Sequence, residues 1–254
     1  SYLVAVHVGR YASGDLPGPV PIQVHHPPGE RARATKAFGG LGRMMAVFTK
    51  LFGPYPFGRF DVVVTHDELE IPLEAQGMAT FGRNYLVPGW GNERLIAHEL
   101  AHQWFGNSLT VRHWRDIWLH EGFACYAEWL WSERSGRRTA AQHAHEHWRR
   151  IAGLAADLLL ADPGPALMFD DRVYKRGALT LHALRTDLGD KAFFGMLREW
   201  VATRRYAGVT TPMFVAHAER WAGRSLDAVF GPWLFSRPVP APPSSGADVA
   251  KRRR

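Results

Sequence analysis

Cysteine is almost absent from this 254-residue chain, with Cys125 the single one. A lone thiol excludes an intramolecular disulfide framework and any zinc site built from several cysteines. Long apolar runs are missing as well. No stretch approaches the roughly twenty consecutive apolar residues that span a bilayer, and the longest candidate, residues 151–161, is broken by Asp157 and reads as a helix of a soluble protein. Lys and Arg outnumber Asp and Glu by 31 to 24, a formal net charge of +7, but no stripe of basic and aromatic residues is visible. Four of those charges crowd into Lys251, Arg252, Arg253 and Arg254. The excess therefore reads as solvated surface plus a basic tail, and nucleic acid is not an expected partner. There is no initiator Met, and residues 2–8 alternate apolar residues as a strand already under way. A piece of a longer protein is expected. The compartment stays open: the cytoplasm is slightly favoured, and export is compatible with a missing N-terminus. Nothing in the pattern fixes an oligomeric state.

What is present points to a packed core. Hydrophobic residues make up 46% of the chain and aromatics 12%, with ten Trp, a composition outside the disordered range. Length suits one or two domains. After the opening strand, residues 13–28 hold five prolines and read as a loop or linker. Residues 30–52 carry apolar side chains at helical spacing, weakened by Gly39, Gly40 and Gly42, and Gly53-Pro54-Tyr55-Pro56 stops the helix. Residues 60–65 read as a short buried strand. Beyond residue 90 the pattern is almost wholly helical, with candidates at 94–105, 117–134, 139–160, 173–188, 191–202, 212–221 and about 226–235. Gly106, Gly136 and Gly189 fall where helix C-caps are expected. From residue 237 the composition collapses into Pro, Ser, Ala and Arg. The expected class is α+β, a small strand-bearing lobe followed by a larger helical lobe.

The chemistry concentrates in His98-Glu99-Leu100-Ala101-His102. Residues four apart share a helix face, so both imidazoles can reach one ion. Glu99 is rotated about 100° from His98, beside the metal, where a base acting on water belongs. Chance alone would place about 0.03 such patterns in a chain of this composition. A catalytic zinc needs a third protein ligand and an open fourth position. Glu121, in Trp118-Leu119-His120-Glu121-Gly122-Phe123-Ala124, supplies it after eighteen intervening residues.

These segments, HELAHQWFGN and WLHEGFA at this spacing, resemble the M1 family of zinc metallopeptidases, where WLNEGFA is usual. Phe52 to Phe57 with the strand after it, Val173 to Ala178 (the family's YxKG segment) and Phe230 to Leu234 extend the resemblance over residues 30–235. It implies a thermolysin-like peptidase domain over 13–235, preceded at 1–12 by the last strand of a mostly missing β domain and followed at 236–254 by a disordered basic tail. It also implies one Zn²⁺ held by His98, His102 and Glu121, a peptide substrate, Glu99 as the base that polarises the attacking water, and Tyr174 as a donor to the oxyanion. The family's amine-gripping Glu in GxMEN is replaced here by Ala79, within Gln76-Gly77-Met78-Ala79-Thr80. Glu74, five residues upstream, is a candidate substitute, and Gly77 and Met78 are candidate substrate contacts. His120 stands where the family has Asn.

The function implied is zinc-dependent hydrolysis of peptide bonds, with removal of N-terminal residues ahead of two alternatives: a thermolysin-like endopeptidase and an inactive scaffold on the same fold. Other candidates read as ordinary structure. His143 and His147 suit a solvated helix face, Cys125 a small core position, and Trp114, Trp118, Trp129 and Trp131 packing.

Overall fold

The computed structural model describes residues 3–242. Its strands form a five-stranded sheet in the order β1-β2-β3-β5-β4, from β1 (Ala12–Leu16), β2 (Ile22–His26), β3 (Phe60–Val64), β4 (Leu73–Ala75) and β5 (Met78–Phe81). β1 pairs antiparallel with β2, β2 and β5 both run parallel to β3, and β4 folds back antiparallel on β5. Alternation gives the sheet two unlike faces. Ile22, Val24, Phe60, Val62, Val64, Ala79 and Phe81 face the core, whereas Ser13, Gln23, His25 and Asp61 hydrogen-bond across the other face. Glu74 pairs with Ala79 across β4 and β5, so its side chain leaves on the helix-covered face.

Helices α1 (Arg31–Phe38) and α2 (Leu41–Phe52) lie between β2 and β3, and the remainder is mainly helical. α3 (Trp90–Ala101) leads through β6 (Thr110–Val111) to α4 (Trp118–Arg134), α5 (Ala140–Ala152) and the short α6 (Gly164–Leu167). Then come α7 (Asp171–Leu188), α8 (Asp190–Arg204), β7 (Gly208–Val209), α9 (Thr211–Ala222) and α10 (Asp227–Leu234). β6 and β7 pair in parallel. Trp104, Trp118, Trp129, Trp131 and Trp200 are fully buried, so the aromatic wealth of the sequence becomes core. Trp114, half exposed against Phe169, and Trp221 are exceptions.

The closest helix contact is α4 on α7. A Cβ on Gly122 would lie 2.7 Å from the Gly177 Cα, a distance open only to two glycines. Glu121 and Tyr174 are carried by these two helices, so the crossing fixes how near they stand.

Several expectations need correction. Residues 3–11 form no strand: they run extended over the Thr80 face of the sheet, with His7 Nε2 2.9 Å from Thr80 Oγ1 and Val4, Val6 and Val8 exposed. The first hairpin, β1–β2, arises inside the proline-rich stretch read as a linker, its prolines confined to turns. The helix expected over 30–52 is two helices, parted at Gly39 and Gly40. The one expected over 139–160 ends at Ala152, because α7 arginines capture the carbonyls that follow: Arg172 bonds Ala155 O and Arg176 bonds Leu158 O. Gly106 lies beyond the C-cap of α3, which is His102. The tail from 236 is anchored at its start, where Arg176 bonds Ser236 O and Arg237 O and Trp148 Nε1 donates to Pro240 O. The rest of the tail, 243–254, lies outside the described residues. Among the described residues no helix is long and apolar enough to cross a membrane.

Candidate metal centre

α3 presents His98 and Glu99, and its C-cap is His102. Glu121 sits in the first turn of α4, which packs against it. Their ligand-type atoms come together: Glu121 Oε2 is 3.3 Å from His98 Nε2 and 3.5 Å from His102 Nε2. All three residues are buried. Each imidazole has its other nitrogen committed to an acceptor, which fixes the tautomer. His98 Nδ1 donates to Glu128 Oε1 at 2.8 Å and His102 Nδ1 to Phe105 O at 3.0 Å. Both Nε2 atoms are thereby aimed at one point with Glu121, the arrangement a divalent cation needs.

The charges bear this out. Burial opposes a proton on His98, but the bonds to Glu121 and Glu128 outweigh it and lift its pKa to about 9. For His102 the Glu121 and Glu74 carboxylates overcome burial and raise it to about 10. Burial would raise Glu121, yet His102 and His98 hold it far below the usual carboxylate range. These three side chains compete for positive charge, which a bound cation supplies.

Glu99 differs. It is 4% exposed, its Oε2 has no hydrogen-bond partner, and burial raises its pKa to about 7. A buried carboxylate oxygen without a donor is costly unless something polar occupies the space before it. Tyr174 stacks on His98 with ring centroids 6.0 Å apart. Burial, then the Glu121, Glu74 and Glu99 carboxylates, raise its pKa, so its hydroxyl stays a neutral donor.

Glu74 also reaches the cluster, its carboxylate within 4.8 Å of the nearest ligand-type atoms of Glu99 and His102. That group is not a second metal centre, because the one outward nitrogen of His102 already faces Glu121. Gly77 and Met78 lie in the β4–β5 hairpin. β5 is flanked on both sides, so it is not an open edge for a peptide; β4 is. Gly77 is the turn residue of the β4–β5 hairpin, with φ +71°, and its N–H is already bound by Gln103 Oε1 at 2.8 Å. Met78 is half-buried, facing away from Glu74.

Some functional residues were missed in the sequence. Glu128 holds His98, and is itself held down to about 2: burial opposes this, and the Lys175 charge, the His98 bond and Arg94 prevail. Its signal was there, since Glu121 and Glu128 are seven apart, two turns along one helix face. His120 Nε2 accepts from Val111 N at 2.9 Å, and burial, with His102, lowers its pKa to about 3. His143 and His147 do not form a solvated face: His143 is buried on Ser132 Oγ, and both rings stack with Trp129. Cys125 is inert as expected, pushed up to about 12 by burial. A concavity of about 740 Å³ lined by Arg138, Glu146, Arg149 and Arg150 lies along α5 and includes none of these site residues.

Two helices thus bring a histidine pair and a glutamate together, beside a small sheet, as a group that could hold a metal ion, and residues 37–233 match the model of the peptidase family M1 domain. The chain belongs to that family. It is similar to aminopeptidase M1-A of Oryza sativa subsp. japonica, at 25% identity over 94% of this chain and 30% of the relative. It is also similar to human aminopeptidase N, at 31% identity over 60% of this chain and 18% of the relative. In structure it resembles an M1 zinc metallopeptidase from Deinococcus radiodurans, with a TM-score of 0.82 and 33% identity over 93% of this chain and 53% of that one. The chain thus spans about 30% of the length of the plant relative.

Proposed function

We propose that this chain is the catalytic part of a zinc-dependent aminopeptidase. The observation that carries the reading is the convergence of His98 Nε2, His102 Nε2 and Glu121 Oε2 beside a buried Glu99 oxygen with no partner. The donor set, two imidazoles and a carboxylate, fits Zn²⁺ with one position left open. His98, His102 and Glu121 would hold the zinc, which when bound would supply Lewis-acid chemistry for hydrolysis. Glu99, raised to about 7, takes the proton of the attacking water on its free Oε2 and returns it to the leaving amine. The Tyr174 hydroxyl donates to the oxygen that turns anionic as the carbonyl carbon becomes tetrahedral. Glu74 accepts the substrate's free ammonium. Its register opposite Ala79 puts a carboxylate on the same sheet face where the family keeps its own.

Hydrolysis of an amino-acid anilide is the assay. Chelation abolishes it, zinc restores it, and Glu99→Gln lowers kcat by about 10²–10⁴-fold while zinc stays bound. Full activity in Glu99→Gln overturns the mechanism. Ala79 gives the endopeptidase alternative its one foothold. N-acetylation separates the two: an aminopeptidase loses turnover of the blocked substrate, and Glu74→Gln weakens the preference for the free amine, whereas equal turnover of both forms supports the endopeptidase.

A further inference from the structure

Gln103, directly after the ligand His102, is fully buried and binds no part of the metal cluster. Its amide grips the β4–β5 turn instead. Oε1 accepts from Gly77 N at 2.8 Å, and Nε2 donates to Ala75 O at 3.1 Å. Four residues on, Asn107 Nδ2 donates to Glu74 O at 3.1 Å. β4 has only three residues and a single strand neighbour. Short edge strands are weakly fixed by pairing alone, so the position of the Glu74 backbone depends on these amides. We infer that Gln103, assisted by Asn107, is a positioning residue that sets the distance of the Glu74 carboxylate from Glu99 and the zinc ligands. The inference rests on the aminopeptidase reading, with Glu74 as the ammonium acceptor. The same stretch of backbone aims His102 at the metal and, one residue later, holds the strand that carries the amine anchor. Metal end and amine end of the substrate are thereby kept in register by one side chain, whose amide serves the turn as an extra peptide unit.

The test compares the 254-residue chain with its Gln103→Ala variant on an amino-acid anilide and on the N-acetylated anilide, with zinc per chain measured on both. Loss of a positioning contact raises KM for the free amine about 10-fold and leaves kcat within about 3-fold. The acetylated substrate, lacking an ammonium, keeps only the low residual rate it has in the parent chain, and that rate and the zinc per chain are unchanged. Adding Glu74→Gln to Gln103→Ala then costs little more, because both act on one contact. Asn107→Ser, which drops the Nδ2 bond to the Glu74 carbonyl, gives a smaller shift in the same direction and serves as the test if Gln103→Ala does not fold. Equal losses on both substrates, lost zinc or no change in KM would overturn the positioning role while leaving the aminopeptidase reading in place. A parent chain that hydrolyses both substrates equally would overturn both.

Discussion

The two ends of the proposed site are built differently. At the candidate metal end, α3 and α4 meet over a buried seam, and each imidazole is held by a further group, His98 by Glu128 and His102 by Phe105 O, with Glu121 beside both Nε2 atoms. At the amine end, a three-residue edge strand depends on one turn and two amides. The first is over-determined, and a single substitution there leaves buried charge uncompensated. The second has fewer ties, a three-residue strand with one strand neighbour. On the proposed reading the helices hold the metal and the sheet edge holds the substrate's amine.

The contrast can be broken most strongly beside the metal. Tyr174→Phe removes the oxyanion donor without disturbing the ligands, so kcat should fall about 10²–10³-fold with zinc retained; an unchanged kcat would remove Tyr174 from the chemistry. Glu128→Ala frees His98 Nδ1 and removes the carboxylate that Arg94 pairs with. Zinc affinity, read by competition with a chelator, should drop about 10–100-fold.

The helix seam itself gives a stability effect. Gly122→Ala drives a methyl against Gly177, and such overpacking costs about 1–3 kcal/mol, seen as a lower denaturation midpoint. The corresponding change at the sheet edge, Met78→Leu, keeps volume and should cost less than about 1.5 kcal/mol.

The smallest effect is acid sensitivity away from the site. His147 and His182 are held near 4, in each case by burial first and then by neighbouring cations, Lys175 for His147 and Arg185 for His182. A depressed folded pKa means the unfolded chain binds protons sooner, so this contribution is intact above about 6.5 and is lost as the pH falls through 4. Tm should decline over that window by at least ~2–4 °C, the equivalent of about 1 kcal/mol in a chain this size. His182→Gln should flatten the slope.

The metal end was legible in the sequence because a helix repeats itself: His98, His102 and Glu121 need only a 3.6-residue period and one contact between neighbouring helices. The helix of Glu121 began within one residue of its expected start for the same reason. Glu128 followed the same logic and was still overlooked, since a lone Glu on an apolar helix gives no chemical cue until the His98 ring is seen beside it. The sheet end was harder. Prolines hid the β1–β2 hairpin, because a Pro in the turn and a Pro in a linker look alike. The place of Gly77 as a turn residue bound by Gln103 depends on a pairing that no local pattern encodes. Residues 153–162 resembled more helix, and only the α7 arginines that seize their carbonyls explain why they are not.

Zinc content of the purified chain, measured beside Glu121→Ala, tests the central claim most directly. The account predicts about one zinc per parent chain and next to none in the variant. Less than about 0.1 zinc in the parent, or full retention in Glu121→Ala, would contradict it.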